Sequence, residues 1–289
     1  VDVKVIVDGF GCLKAPNSLF RPLREAGGIV KRSKPFGTHF RNHRKIVVID
    51  GEIGYTGGMN IGIPYLSEVK IRSPWRDTHI KMRGDGVYAL QYIFLTDWIA
   101  MSRKKTVKLE MRKITSYFPP HNVQTVLYSQ YITGGIDTDK EYIKMSYLKM
   151  IMSARKRIWI QTPYIIPDNT VLDSLKVLAS SGIEVIVMLS GTLQFYLDPI
   201  NNYYIDELVK YGAKIYRYHG YLHAKTLVVD DDVCCIGSAN FDTRSLQVND
   251  EVCIFFYDKN FTQYNASLFR EDLNHCSELA YNAFAKRSW

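Results

Sequence analysis

Hydrophobic and polar positions along this chain alternate between two periods. Segments 1–7 (VDVKVIV), 29–31, 158–164 and 183–189 (IEVIVML) are short and dense in β-branched and aliphatic residues, and read as strands. Segments 18–26, 147–155, 168–180, 203–211 and the stretch from 260 to the end read as helices. Segment 84–103 does too, with apolar residues at Val87, Leu90, Phe94, Leu95, Trp98 and Ile99. Strand, helix and strand follow one another in each half of the chain. This order predicts an α/β fold class with right-handed crossovers.

A second pattern lies on top of the first. Residues 43–50 read HRKIVVID and are followed by Gly57-Gly58-Met59-Asn60; residues 223–230 read HAKTLVVD and are followed by Gly237-Ser238-Ala239-Asn240. His, Lys, Asp, Gly and Asn recur, each pair offset by 180 positions. In both copies aliphatics follow the Lys, so His and Lys stand two apart at the head of a strand and share a face. One His-x-Lys on a strand is most often an ordinary surface pair. Two copies in register, each with its trailing Gly and Asn, are hard to explain by packing.

Each signature is followed by a further strand-like segment, 75–82 (WRDTHIKM) in the first half and 249–256 (NDEVCIFF) in the second. The reading is therefore of two similar α/β/α halves about a pseudo-twofold axis, with the active site between them, because each signature supplies half of a site. Residues 1–115 form the first half, 116–140 a polar linker marked by Pro119-Pro120 and Gly134-Gly135, and 141–289 the second half. The strand at 183–189 is preceded by helix, strand and helix, whereas nothing precedes the strand at 1–7. The expectation is of a chain continuing upstream by at least ~35 residues if both halves are complete α/β units.

Composition narrows the partners. With 289 residues and 46% hydrophobic content the chain can bury two cores of domain size. A net charge of +8 favours anionic partners: nucleic acid, phosphorylated substrates or an acidic membrane surface. The 20 tyrosines read as core and interface filler. Cys12, Cys234, Cys235, Cys253 and Cys276 have neither CxxC nor metal-ligand spacing, and an odd, scattered set fits a reducing compartment. No apolar run approaches the ~20 residues of a membrane-spanning helix.

The repeated residues carry one kind of chemistry. Imidazole serves as nucleophile or proton donor near neutral pH, Lys brings an ammonium and Asn brings amide donors. Two such sets around one centre suit a phosphodiester: one His attacks phosphorus, the other protonates the leaving oxygen in line, and the second substrate reverses the roles.

His-x-Lys-x4-Asp with trailing Gly-x2-Asn or Gly-Ser-x-Asn, occurring twice, resembles the phospholipase D superfamily over essentially the whole chain. The flanking segments 41–45 (RNHRK), 57–62 (GGMNIG), 75–79 (WRDTH), 161–168 (QTPYIIPD) and 237–245 (GSANFDTRS) are similar to those of bacterial cardiolipin synthases. The resemblance implies joining of two phosphatidylglycerol molecules with release of glycerol, through a phosphohistidine and with no metal or cofactor. It also implies a bacterial cell-membrane location, the catalytic body on the cytoplasmic side and the anchoring segment outside this sequence.

Carried over residue by residue, His43 and His223 are the nucleophile and acid pair, with a lean towards His43 as nucleophile. Lys45, Lys225, Asn60 and Asn240 hold the phosphate, and Ser238 adds a hydroxyl where Gly58 offers none. Asp77 and Glu251 fix the tautomer of a His, Asp77 following His43 and Glu251 following His223. Asp50 and Asp230 complete the motif and join the catalytic set, although their places at strand ends also fit a structural role.

Four other readings compete with these. His39 and His219 lie four before each signature His, but that spacing binds zinc from a helix, and here it falls in extended chain. The cluster Arg103, Lys104, Lys105, Lys108, Arg112 and Lys113 reads as a solvated face, with contact to anionic headgroups the lesser alternative. A phospholipid hydrolase of the same superfamily is the nearest competing function. A nucleic-acid phosphodiesterase is more distant, since no nucleic-acid module or basic stripe with stacking residues is visible.

Overall fold

The computed structural model describes residues 1–33, 41–62, 65, 74–123, 127–135, 138–192 and 198–279. The second half is built on an eight-stranded mixed sheet. Its order is Cys276–Glu278, Lys214–Tyr218, Glu184–Ser190, Arg157–Gln161, Thr226–Val229, Val233–Gly237, Glu251–Phe256 and Ser129–Gly134. The central members are buried on both faces, which is why they read as unbroken apolar runs.

Successive residues feed opposite layers. Ile158 and Ile160 point into a core shared with helices Tyr142–Met152, Asn169–Ser180 and Asp198–Lys210 through Ile151, Leu175 and Ile205. Trp159, between them, belongs to the opposite layer with Met188, Val228, Ile254 and Phe269 of helix Lys259–Leu273. Ile80 and Met82 of the first half pack on that same layer, so the halves share a core there. Asp168 and Asp258 begin their helices by accepting from the amides of Val171 and Phe261.

In the first half the strands lie in two groups. Lys4–Val7 pairs in parallel with Ile29–Arg32, and Ile46–Ile49, Ile53–Gly57 and His79–Arg83 form an antiparallel meander. Helix Gly86–Ala100 covers the meander with Val87, Leu90, Leu95 and Trp98. In the second half Arg157–Gln161 joins the corresponding groups, pairing with both Glu184–Ser190 and Thr226–Val229.

Two segments differ from the reading by pattern. Within 116–140, expected as linker, Ser129–Gly134 is the edge strand of the second sheet, paired with Glu251–Phe256. The start of that segment packs on the first half: His121 Nε2 lies 2.8 Å from Gly51 O, and the His121 ring stacks on Tyr88. The C-terminal helix ends at Leu273, and Cys276–Glu278 turns back as an antiparallel strand beside Lys214–Tyr218.

Candidate active site

The site is assembled by two short parallel pairings that cross between the halves. The chain entering His43 runs beside the chain entering Glu251: Asn42 bridges Asp250, His43 N donates to Asp250 O at 2.8 Å and Asp250 N donates to Arg41 O at 2.9 Å. The chain entering His223 runs beside the chain entering Asp77 in the same way. Tyr221 pairs with Trp75, Leu222 with Arg76, and His223 N donates to Arg76 O at 2.7 Å. Each register sets an imidazole next to a carboxylate of the opposite half.

The side chains follow. His43 Nδ1 lies 2.9 and 3.1 Å from the two carboxylate oxygens of Glu251. His223 Nδ1 lies 2.8 Å from Asp77 Oδ2. The expected pairing of each carboxylate with the His of its own half is thus corrected, because the strands that carry them pair across the halves. A carboxylate accepting from Nδ1–H keeps the ring proton on that nitrogen and leaves Nε2 with its lone pair. Tyr65 Oη also approaches His223 Nδ1, at 3.1 Å, and Tyr65, Trp75 and Tyr221 surround that ring.

Ser238 does different work from the expected phosphate contact. Its hydroxyl donates to Glu251 Oε2 at 2.5 Å and accepts from Val252 N at 3.0 Å, so it holds the carboxylate that holds His43. At the corresponding place, a Cβ on Gly58 would sit 2.0 Å from Asp77 Oδ1; the glycine is required by the close approach of that carboxylate. Asp77 is instead fixed by the Thr78 amide at 2.7 Å.

Both signature lysines fold back on their own strands: Lys45 Nζ donates to His43 O, and Lys225 Nζ to His223 O. Lys225 is 2% exposed. Burial pushes Lys45 down to about 8 and Lys225 down to about 7, against the pull of Glu251 and Asp77. Burial likewise pushes His43 below the ordinary imidazole range, with Glu251 opposing and Lys45 and Lys225 adding to it. His223 is pushed down to about 4 by burial and then by Lys225, against Asp77. Burial raises Glu251, but His43, Lys45 and Ser238 outweigh it and keep its carboxyl below the usual range. Each ring feels the ammonium of the other half as well as its own, which makes the four groups one electrostatic unit.

The two asparagines meet tyrosines. Asn60 Nδ2 donates to Tyr65 Oη at 3.3 Å and Asn240 Nδ2 to Tyr164 Oη at 3.0 Å. Burial pushes Tyr65 up to about 12 and Tyr164 well above the phenol range, so both stay neutral. A cavity of 130 Å³ opens beside His43, and Arg41, Tyr164, Asn240 and Arg244 are among the residues lining it.

The remaining motif residues lie elsewhere. Asp50 and Asp230 occupy hairpin turns at the far ends of the signature strands, with positive φ of 54° and 51°. The Asp230 carboxylate accepts the amides of Arg155, Lys156 and Arg157, each at 2.9 Å. Burial opposes and these amides favour its charge, leaving its pKa below the usual value. Asp230 is occupied at the start of strand Arg157–Gln161, away from the imidazoles, which fits its structural rather than its catalytic reading. His39 lies outside the described residues, and His219 Nε2 contacts Ser277 Oγ at 2.7 Å. Sequence reasoning missed Tyr65, Tyr164, Arg41 and Arg244 as site residues. Arg41, Tyr164 and Arg244 stood inside quoted flanking segments, but without a partner in the other copy to mark them.

The chain is similar to several known proteins. Residues 147–273 match the family described as "Cardiolipin synthase, PLD-like domain". The phosphatidylserine synthase of Haemophilus influenzae Rd KW20 superposes with a TM-score of 0.73 over 99% of this chain and 76% of its own, at 14% identity, a likeness of fold. The chain is 38% identical over 297 residues to a cardiolipin synthase of Listeria monocytogenes, covering 100% of this chain and 61% of that protein. It is 39% identical over 298 residues to the major cardiolipin synthase ClsA of Bacillus subtilis, covering 99% and 61%. The chain therefore spans about three-fifths of the length of the curated relatives it matches.

Proposed function

We propose that this chain is the catalytic body of a phosphatidyltransferase that joins two phosphatidylglycerol molecules into cardiolipin and glycerol at a membrane surface. The observation that carries the reading is the pair of crossed imidazole–carboxylate contacts around two buried lysines. The 38–39% identity to cardiolipin synthases supports the choice of substrate.

In the first half-reaction His43 Nε2 attacks phosphorus and the bond from phosphorus to the glycerol oxygen breaks, while His223, charged to imidazolium when the anionic phosphate is bound beside it and Asp77, gives that oxygen its proton from Nε2. In the second, a hydroxyl of another phosphatidylglycerol attacks phosphorus, its proton passes to His223 and the phosphorus–nitrogen bond breaks. Lys45, Lys225, Asn60 and Asn240 face the non-bridging oxygens, where their charge and amide dipoles count most in a site with little water. Glu251, held by Ser238, and Asp77 stabilise the imidazolium forms.

The test is product analysis. Full-length protein in mixed micelles of phosphatidylglycerol should release cardiolipin and glycerol in equal amounts, with or without chelator. Phosphatidic acid as sole product would make the protein a hydrolase, and activity limited to nucleic acid would remove the lipid reading.

A further inference from the structure

Resting on that reading, we infer that Arg41 and Arg244 bind the phosphate of the acceptor phosphatidylglycerol, and so select an anionic acceptor over water or a neutral alcohol. The cavity beside His43 is lined by Phe10, Arg41, Asn240, Asp242 and Arg244 together with the His43 ring itself. Two guanidinium groups thus border the space next to an imidazole that reacts at phosphorus. Guanidinium pairs with phosphate in a two-pronged geometry that a lysine cannot offer.

The two cations come from different halves and are held differently. Arg41 is set by its neighbours: Nε donates to Asp8 Oδ2 at 3.2 Å, and its ring-facing side lies over Phe10 at 5.3 Å. Asp8 is committed as well, accepting from the amides of Gly11 and Asn42 at 2.6 and 3.2 Å. Arg41 adds to the forces that depress Lys45, which places its charge within reach of the phosphate-holding group. Arg244 stands on the short helix Thr243–Gln247. The carboxylate in the cavity, Asp242, is committed within its own turn, accepting from Ser245 N at 2.9 Å and Ser245 Oγ at 3.3 Å. Asn240 Oδ1 is buried there without a partner among the described residues, an acceptor suited to the free hydroxyl of a glycerol.

The chemistry of the acceptor matches this arrangement. In the second half-reaction its terminal hydroxyl oxygen attacks the phosphohistidine, while its own phosphate remains intact one glycerol length away. A donor phosphate held between the histidines and an acceptor phosphate held by Arg41 and Arg244 would flank the bridging glycerol of the product. Water and free glycerol carry no such phosphate and gain nothing from the two arginines.

Two reactions of the full-length protein separate acceptor binding from donor chemistry. The first is cardiolipin formation from phosphatidylglycerol; the second is exchange of labelled glycerol into phosphatidylglycerol, which uses the same donor step with a neutral acceptor. Arg41→Gln, Arg244→Gln and the double variant should each lower cardiolipin formation roughly ten- to a hundred-fold, the value of a charge-assisted contact, with much smaller loss of exchange. Arg41→Lys should recover part of the loss. Equal loss of both reactions, or retention of both, would overturn the inference while leaving the proposed transferase in place. A wild-type protein that exchanges glycerol but forms no cardiolipin would overturn both.

Discussion

At the scale of single residues, the site is a compromise between charge and burial. Lys225 is almost wholly enclosed and depressed to about 7, and Lys45 to about 8. An ammonium must be charged to hold phosphate, so kcat/KM should fall as pH rises through 7 to 8, while kcat, with phosphate bound and holding the charge, should fall only at higher pH. A kcat/KM profile flat up to pH 9 would remove the lysines from phosphate binding. Asp230 offers the opposite case, a motif residue serving the backbone. Asp230→Ala should destabilise the protein by about 1–3 kcal/mol, as three backbone amides lose their charged acceptor, with the specific activity of the folded fraction retained. Because its pKa is depressed in the folded state, its contribution is fully present above the ordinary carboxylate range and is lost as pH falls through the folded value. Thermal melts of the two proteins should therefore converge at acid pH.

At the scale of elements, the function depends on two short strand pairings. Residues 41–43 with Asp250, and Tyr221–Leu222 with Trp75–Arg76, set the register of His to carboxylate, and a slip of one residue would turn each side chain to the other face. Arg76 reinforces the second pairing. Its Nε meets both oxygens of Asp272 at 2.8 and 3.0 Å, and Asp272 accepts from Gln161 Nε2 at 2.7 Å, so the base of Asp77 is tied to the second sheet. The crossing makes a specific prediction: Glu251→Gln should copy the defect of His43→Asn, and Asp77→Asn that of His223→Asn, in single-turnover assays of adduct formation. The reverse matching would mean that the carboxylates act within their own halves. Ser238→Ala should show a milder version of the Glu251→Gln defect, about tenfold in rate for one hydrogen bond to a charged group.

At the scale of the whole molecule, the two-fold repeat of chemistry was legible in the sequence, and so were the α/β class and most helices. His43, Lys45, Asn60 and their partners announced themselves by a constant offset. The crossing was not legible, because spacing within one half says nothing of which strand of the other half will lie beside it. The strand Ser129–Gly134 was hidden by Gly134-Gly135, whose turn signal outweighed the alternation before it. Arg41, Arg244, Tyr65 and Tyr164 escaped because the halves differ at these positions, and a repeat reveals only what is repeated. The asymmetry they create is where the two imidazoles part company. His43 faces the cavity with its arginines, while His223 sits among Tyr65, Trp75 and Tyr221. Among the described residues no helix is long and apolar enough to cross a membrane.

The proposed mechanism requires a covalent phosphatidyl group carried by one histidine and released with the help of the other. The direct measurement is rapid quench of the full-length protein with a phosphatidyl donor bearing an activated leaving group, followed by mapping of the acid-labile phosphoryl group. His223→Asn should still accumulate the adduct, on His43, because an activated group needs no proton to depart, and His43→Asn should accumulate none. An adduct on His223 in the His43→Asn protein would exchange the roles of the two residues. Turnover of phosphatidylglycerol by either variant at the wild-type rate, with no adduct on any histidine, would contradict the mechanism itself.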